Sequence, residues 1–188
     1  MEKSDSKQLY IVISQTGTIL SRILKLITGA EYNHASLCLT PDLDIMYSFG
    51  RKISFFPFWG GFVTESPYFG TFKRFRNTKI ILLSLTVDAD IYNKIDDLIH
   101  NMVINRKKYG YNYLGLWLAA FKIVHKSRNR YYCSEFVRDV LQENNINGAD
   151  KLCEIVEPMH FINLPDVTRI YCGKLRDYRS LENSVTLR

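Results

Sequence analysis

The stretch Tyr131–Leu141 constrains this chain most, because a polar turn runs directly into an amphipathic helix. Four apolar residues recur at the spacing of one buried helix face: Phe136, Val137, Val140 and Leu141. Cys133 would lie in the first turn, where unpaired backbone N–H groups and the helix dipole favour a thiolate. Free cysteine is also among the most buried residue types. The stretch therefore predicts either a nucleophilic cysteine or a small buried residue at a helix start.

The composition is that of a folded globular protein, with 46% hydrophobic and 23% charged residues among 188. We interpret the chain as one domain, 1–188, with flexible ends at 1–8 and 180–188. The formal net charge is +6 without a run of five like charges, so we expect no nucleic-acid partner. No signal-like or membrane-spanning apolar run occurs, so we expect a cytoplasmic protein for which membrane contact is possible but not expected.

The four cysteines form no C-x-x-C pair, a spacing that argues against zinc-ribbon and thioredoxin-like sites. We therefore expect no metal and no other cofactor. A nucleophilic cysteine needs a histidine to take its proton. His34 is the best of four candidates, because strand alternation places it at the start of 34–39 on the same face as Ser36 and Cys38. His125 lies in a basic loop, and His160 follows Pro158 at a predicted helix start.

The remaining patterns predict an α+β fold, with strands near both ends and helices between them. The predicted strands are 9–13, 34–39, 45–49, 79–87 and 170–172. The predicted helices are 18–28, a helix capped by Asp88 that continues to Val103, Leu116–Val124, and the Cys133 helix ending near 145–148. The aromatic segment 55–62 contains one proline and two glycines and predicts an irregular loop. That loop would cover the core, form a lid over a groove, or touch a membrane.

Two motifs together resemble a known family. His34-Ala-Ser-Leu-Cys-Leu39, followed 133 − 34 = 99 residues later by Cys133 in Tyr132–Val137, resembles the permuted branch of the NlpC-type cysteine peptidases, the YiiX/YebB-like bacterial hydrolases. The resemblance runs from about Leu9 to Tyr178. It implies a circularly permuted papain-like fold, with an antiparallel sheet packed against helices. It also implies Cys133 as the nucleophile and His34 as the general base.

A third catalytic residue is expected on the strand after the histidine strand. Ser48 is our choice, since it lies an even 14 residues beyond His34, and Tyr47 is second. Relatives often carry a carboxylate or another strong acceptor there, so a serine is a departure from the family pattern. The backbone N–H of Cys133 would hold the oxyanion. The candidate substrate-binding residues are Tyr32, which would assist the oxyanion, and Ser36, Tyr47, Tyr132, Ser134 and Trp59.

The resemblance implies a thiol hydrolase that cleaves an amide bond in a peptide or a muropeptide through a thioester acyl-enzyme. A second possibility keeps the same Cys–His pair but acts on lipid esters, as the lecithin retinol acyltransferase-like relatives do. A third is a binding module that keeps the fold with little catalysis. The natural substrate and the oligomeric state stay open at this point.

Overall fold

The computed structural model describes residues 5–16, 29–51 and 59–178. These residues form an α+β structure with one mixed sheet of eight strands. The strands are β1 Ser6–Gln15, β2 His34–Cys38, β3 Met46–Arg51, β4 Gly60–Glu65, β5 Lys79–Asp88, β6 Gly110–Tyr111, β7 Arg130–Tyr131 and β8 Val167–Lys174. The α-helices are α1 Gly70–Arg74, α2 Ala89–Ile104, α3 Tyr113–Ala120 and α4 Cys133–Glu143. Short 3-10 helices span Arg106–Lys108, Ala149–Lys151, Pro158–Asn163 and Leu175–Asp177.

The strand order is β7-β6-β4-β3-β2-β1-β5-β8. Every neighbouring pair is antiparallel except β6 and β7. The strands β2, β3 and β4 lie side by side in chain order, so residues far apart in sequence face one another across three strands. This arrangement determines which side chains meet at the candidate site.

Both faces of the central strand β1 are buried, which explains its uninterrupted apolar sequence. Leu9, Ile11 and Ile13 belong to one core cluster, and Tyr10 and Val12 belong to the other. The first cluster includes the apolar faces of α2 and α4. The prediction of a buried strand at 9–13 is confirmed.

An aromatic cluster fixes α4 on the sheet. The Phe136 ring lies with its centroid 5.4 Å from Phe49 and 5.8 Å from Phe62, and Tyr131 lies 5.0 Å from Phe49. Phe49 and Phe136 are among the largest fully buried side chains. Because these rings come from β3, β4, β7 and α4, their contacts set the position of Cys133 at the start of α4 relative to the sheet.

Two local predictions are wrong. The predicted helix 116–124 instead begins at Tyr113 and ends at Ala120; the Asn112 side chain accepts the Gly115 N–H at 2.9 Å, and Lys122 adopts φ +61° beyond the end. The aromatic segment 55–62 was predicted to be irregular, yet 60–62 form the first half of β4.

Glycine at position 60 has a structural reason in that strand. A Cβ there would lie 2.7 Å from the Cβ of Tyr111, so glycine allows β4 to lie close to Tyr111. Two predicted features lie outside the described residues: positions 55–58 of the aromatic segment and the helix at 18–28. Gly29, the residue that follows this predicted helix, is described. Within the residues that are described, no helix has the length and apolar character needed to cross a membrane.

Candidate active site

The start of α4 is built by hydrogen bonds between buried polar groups. Tyr132 precedes the helix in an extended conformation, and its backbone N–H donates to the Glu135 carboxylate at 3.1 Å. The side-chain amide of Asn112 donates to the same carboxylate at 3.4 Å while Asn112 also caps α3. These bonds place Cys133 as the first helical residue and join the beginnings of α3 and α4.

Cys133 lies beside the first residues of β2. Its Sγ is 3.9 Å from the carbonyl oxygen of Asn33, and the residue is only 4% exposed. Burial acts to raise the pKa of the Cys133 thiol, but the charge and hydrogen bond of His34 and the backbone N–H groups of Ala35 and Ser134 lower it more. The net pKa lies below that of an ordinary thiol, which favours a thiolate at neutral pH.

His34 is held by a partly buried carboxylate. Its Nε2 lies 2.9 Å and 3.1 Å from the two carboxylate oxygens of Glu65 on β4. The Ser36 hydroxyl donates to Oε2 of Glu65 at 2.7 Å. Burial acts to lower the pKa of the His34 imidazolium, but the charges of Glu65 and Cys133 raise it well above its usual value. The pair Cys133 and His34 therefore favours the thiolate and imidazolium forms together.

Gly50 lies beneath the contact between His34 and Glu65. His34 lies on β2 and Glu65 on β4, with β3 between them. The register pairs Leu37 with Tyr47, which puts Gly50 of β3 opposite His34. A Cβ on Gly50 would lie 3.6 Å from Oε1 of Glu65 and 3.9 Å from Cε1 of His34. Both distances are those of ordinary van der Waals contacts, so the two long side chains meet directly over Gly50 of the middle strand.

The prediction that Ser48 orients His34 is wrong. The Ser48 hydroxyl is fully buried and donates to the backbone carbonyl of Ala35 at 2.6 Å. Glu65 occupies Nε2 of the imidazole instead. Glu65 supplies the one carboxylate on β2, β3 and β4. Strand alternation puts Glu65 on the same face as Gly61 and Val63, and this pattern could have identified it as the residue that orients His34. The glycines in this stretch obscured that signal, because they predicted a loop.

A small apolar groove opens beside the thiol. Three of the predicted substrate-binding residues line it together with Cys133: Tyr32, Tyr132 and Ser134. The Ser134 hydroxyl donates to the carbonyl of Val156 at 2.7 Å, which leaves the groove lining mainly apolar. The other lining residues are Ala30, Asn33, Leu116, Ala119, Ala120, Ile155, Val156, Glu157 and Pro158.

The remaining predicted substrate-binding residues lie elsewhere. Ser36 is buried and bound to Glu65, and Tyr47 stacks on Phe62 with the ring centroids 6.3 Å apart. Trp59 is 60% exposed and lines a second, basic cleft with Lys107 and Lys108. None of these three residues lines the groove beside Cys133.

Within the described ranges, no cluster of three histidine, cysteine or acidic side chains is placed to bind a metal ion. Comparison with models of known protein families and with curated proteins gives no match to this chain. The site is therefore defined by its own geometry: a buried thiol at a helix start, an imidazole beside it, and a carboxylate on the far side of the imidazole.

Proposed function

We propose that this chain is a cysteine hydrolase that cleaves an acyl bond through a thioester on Cys133. The observation that carries the proposal is geometric: the Cys133 thiol at the helix start lies 3.9 Å from the carbonyl oxygen of Asn33, the residue before His34, and the His34 imidazole lies 2.9 Å from the Glu65 carboxylate. Nucleophile, base and orienting group in this order are what thiol catalysis requires. The histidine strand precedes the cysteine helix, and that helix lies against a largely antiparallel sheet, which supports a circularly permuted papain-like fold.

In the acylation step, the Cys133 thiolate attacks the carbonyl carbon of the substrate and forms a C–S bond. The negative charge on the carbonyl oxygen would be held by the backbone N–H of Cys133, which has no partner within the helix at its first position. His34 Nε2 is occupied by Glu65, so Nδ1 is the nitrogen that faces the reaction. When the tetrahedral intermediate collapses, the bond to the leaving group breaks and the His34 imidazolium gives that group its proton.

In the deacylation step, neutral His34 takes a proton from water and the resulting hydroxide attacks the thioester carbonyl. The C–S bond breaks, the acid product leaves, and the Cys133 thiolate and His34 imidazolium are restored. Glu65 keeps the ring in one orientation and stabilises its protonated form throughout, which a serine hydroxyl would do poorly.

An amide is the first candidate substrate. An amine leaves a tetrahedral intermediate only if it is protonated, and the raised pKa of His34 keeps the imidazolium available at neutral pH. The apolar lining of the groove further favours an apolar side chain or acyl group next to the scissile bond. A peptide or a small N-acyl compound satisfies both conditions.

A lipid ester is the second candidate, and the groove is the specific observation that favours it. Leu116, Ala119 and Ala120 of α3 present only aliphatic groups beside the thiol, a surface suited to a hydrocarbon chain. Both candidates share the same thioester step and differ in the leaving group and in the form in which the substrate is supplied.

The test compares peptide p-nitroanilides with p-nitrophenyl acetate and p-nitrophenyl octanoate, and follows the acyl adduct by intact-protein mass spectrometry. We expect an adduct that maps to Cys133 and is lost in Cys133→Ser but retained in the matched variant Cys153→Ser. Turnover of anilides supports the amide candidate, and a strong preference for octanoate over acetate without anilide turnover supports the lipid candidate. An adduct that persists in Cys133→Ser would overturn the proposal.

A further inference from the structure

The helix α3 and the residues directly after it, up to Val124, leave an unusual amount of apolar surface in contact with solvent. Of the ten large hydrophobic side chains that are exposed in the described residues, five fall between positions 114 and 124. They are Leu114 at 58% exposure, Trp117 at 38%, Phe121 at 69%, Ile123 at 53% and Val124 at 51%. Exposed apolar side chains concentrated in this way mark an interaction site more often than a plain surface.

One side of α3 faces solvent and the other side faces the groove beside Cys133. Leu114, Trp117 and Phe121 follow the i, i+3, i+7 spacing of one helix face and are exposed. Leu116, Ala119 and Ala120 lie on the other side and line the groove beside Cys133. The helix is therefore the wall between the candidate active site and the exposed apolar patch.

An open basic cleft borders the same helix. Lys107, Lys108, Arg128 and Arg130 line it, and all four are exposed. Among the described residues, none of their side chains has a carboxylate partner within ion-pair distance. Tyr113, the first residue of α3, also lines the cleft, so the cleft reaches the residue next to Leu114 of the patch. Four cations without counter-charges create a positive potential that attracts anions.

We propose that the α3 face, meaning the apolar patch at 114–124 together with the basic cleft, docks this protein on membranes that contain anionic phospholipids. Large apolar side chains next to lysines and arginines are the pattern of interfacial attachment, with the apolar groups entering the boundary of the acyl chains and the cations meeting the headgroups. This attachment goes beyond the proposed hydrolase and does not depend on Cys133 chemistry.

The exposed aliphatic groups favour a lipid surface over a nucleic acid. A nucleic acid would use the cations and stack bases on rings, but it offers nothing to Leu114, Ile123 and Val124. A membrane accommodates both the aliphatic and the cationic groups.

The test is sedimentation of the wild-type protein with vesicles of phosphatidylcholine alone or with 30% phosphatidylglycerol (about one lipid in three, enough for a strongly negative surface potential). Tryptophan emission is recorded in parallel. Trp59 lines the cleft and Trp117 lies in the patch, and they are the two tryptophans of the chain. We expect binding to the mixed vesicles that weakens with salt, accompanied by a blue shift of the emission.

Two double variants separate the apolar and charged contributions. Trp117→Ser/Phe121→Ser and Lys107→Glu/Lys108→Glu are each expected to weaken vesicle binding by about tenfold or more. The matched controls are Ile45→Ser, an exposed apolar residue elsewhere, and Lys94→Glu/Lys151→Glu, an equal change of charge. The controls are expected to bind as the wild type does.

Three results would overturn the proposal. The first is absence of binding to the mixed vesicles, and the second is binding that the α3-face variants leave unchanged. The third is a dimer that Trp117→Ser/Phe121→Ser dissociates in light scattering while vesicles fail to bind, because a second copy would then be the occupant of the patch. Vesicle binding is measured without substrate, so a failure here is distinct from a failure of the thioester test.

Discussion

Two cysteines of this molecule are buried to nearly the same degree but have opposite properties. Cys38 in β2 is fully buried, its thiol donates to the carbonyls of Thr40 and Ile45 at 3.1 Å each, and burial raises its pKa to about 11. Cys133 is 4% exposed, and its pKa is lowered. The difference lies in His34: burial raises the pKa of both thiols and backbone hydrogen bonds lower both, but only at Cys133 does the charge of an imidazolium outweigh the burial.

A second Cys–His pair, Cys153 and His160, lies at the surface and lacks the other features of the Cys133 site. The Sγ of Cys153 lies 3.5 Å from Nδ1 of His160, but Cys153 is exposed and donates to the carbonyl of Ile155 at 2.9 Å. The same Nδ1 accepts the backbone N–H of Glu157 at 3.3 Å. No described carboxylate orients His160 as Glu65 orients His34. Burial, a helix start and an orienting carboxylate distinguish the Cys133 site from this surface pair.

The largest expected effect is that of Cys133→Ser. Loss of the thiolate removes the nucleophile, so turnover of any accepted substrate is expected to fall by about 10⁴-fold or more. The midpoint of thermal unfolding is expected to change little, because serine occupies similar space. Steady-state kinetics and a melting curve measure the two quantities. Cys153→Ser is the matched control, and equal losses in both variants would refute the distinction between the two sites.

Replacing the imidazole is expected to make Cys133 resemble Cys38. In His34→Gln the cation that lowers the pKa of Cys133 is absent while burial remains, so that pKa rises. The labelling rate of Cys133 at pH 7 is expected to fall on the order of 10²-fold. His160→Gln, which changes the surface pair instead, is expected to leave that rate unchanged. If both substitutions act alike, His34 is not the specific partner.

Glu65→Gln is expected to narrow the pH range over which the Cys133 thiolate and the His34 imidazolium are present together. Burial lowers the pKa of His34 and Glu65 raises it, so removing the carboxylate charge lowers that pKa. The His34 imidazolium would then be lost at a lower pH. The alkaline limb of the activity profile therefore moves to lower pH, and kcat/KM near neutral pH is expected to fall about tenfold. A pH profile of kcat/KM measures the shift. Glu143→Gln, an exposed carboxylate on α4, is the control, and an unmoved alkaline limb in Glu65→Gln would refute the role of the carboxylate.

The contact between His34 and Glu65 also predicts how the free energy of unfolding changes with pH. The folded-state pKa of His34 is raised, so its stabilising contribution is complete below the unfolded value near 6.5 and is lost as the pH rises through the folded value. In Glu65→Gln the loss is expected at lower pH. Urea unfolding at pH values from 6 to 9 measures this loss of stability. A free energy of unfolding that varies with pH equally in wild type and Glu65→Gln would contradict the role given to Glu65.

The smallest expected effect is that of Ser36→Ala. It removes one hydrogen bond to the Glu65 carboxylate and leaves His34 bound, so a loss of about 1 kcal/mol and a few-fold decrease in kcat/KM are expected. Ser84→Ala is the control, since that hydroxyl donates to Gln8 at 2.6 Å away from the site. A decrease as large as that of Glu65→Gln would instead place Ser36 among the groups that fix the imidazole.

The sequence was most informative where the determinants are local. Cys133 at a helix start and His34 at a strand start follow from helical periodicity and strand alternation over a few residues. The contact of Glu65 with His34 depends on the pairing of β3 with β4, which no local pattern specifies. The apolar composition of α3 likewise predicts a helix but does not distinguish a buried face from an exposed one.

The most direct test of the central claim is the rate of iodoacetamide labelling at each of the four cysteines against pH, read by peptide mass spectrometry in wild type and His34→Gln. The account predicts that Cys133 labels faster than the other three between pH 6 and 7 (about two units below the usual thiol pKa) and loses this advantage in the variant. Cys38 is expected to stay unlabelled while the protein is folded. If Cys133 labels no faster than Cys153 in that range, or is indifferent to His34, then no thiolate–imidazolium pair exists and the proposed hydrolase is wrong.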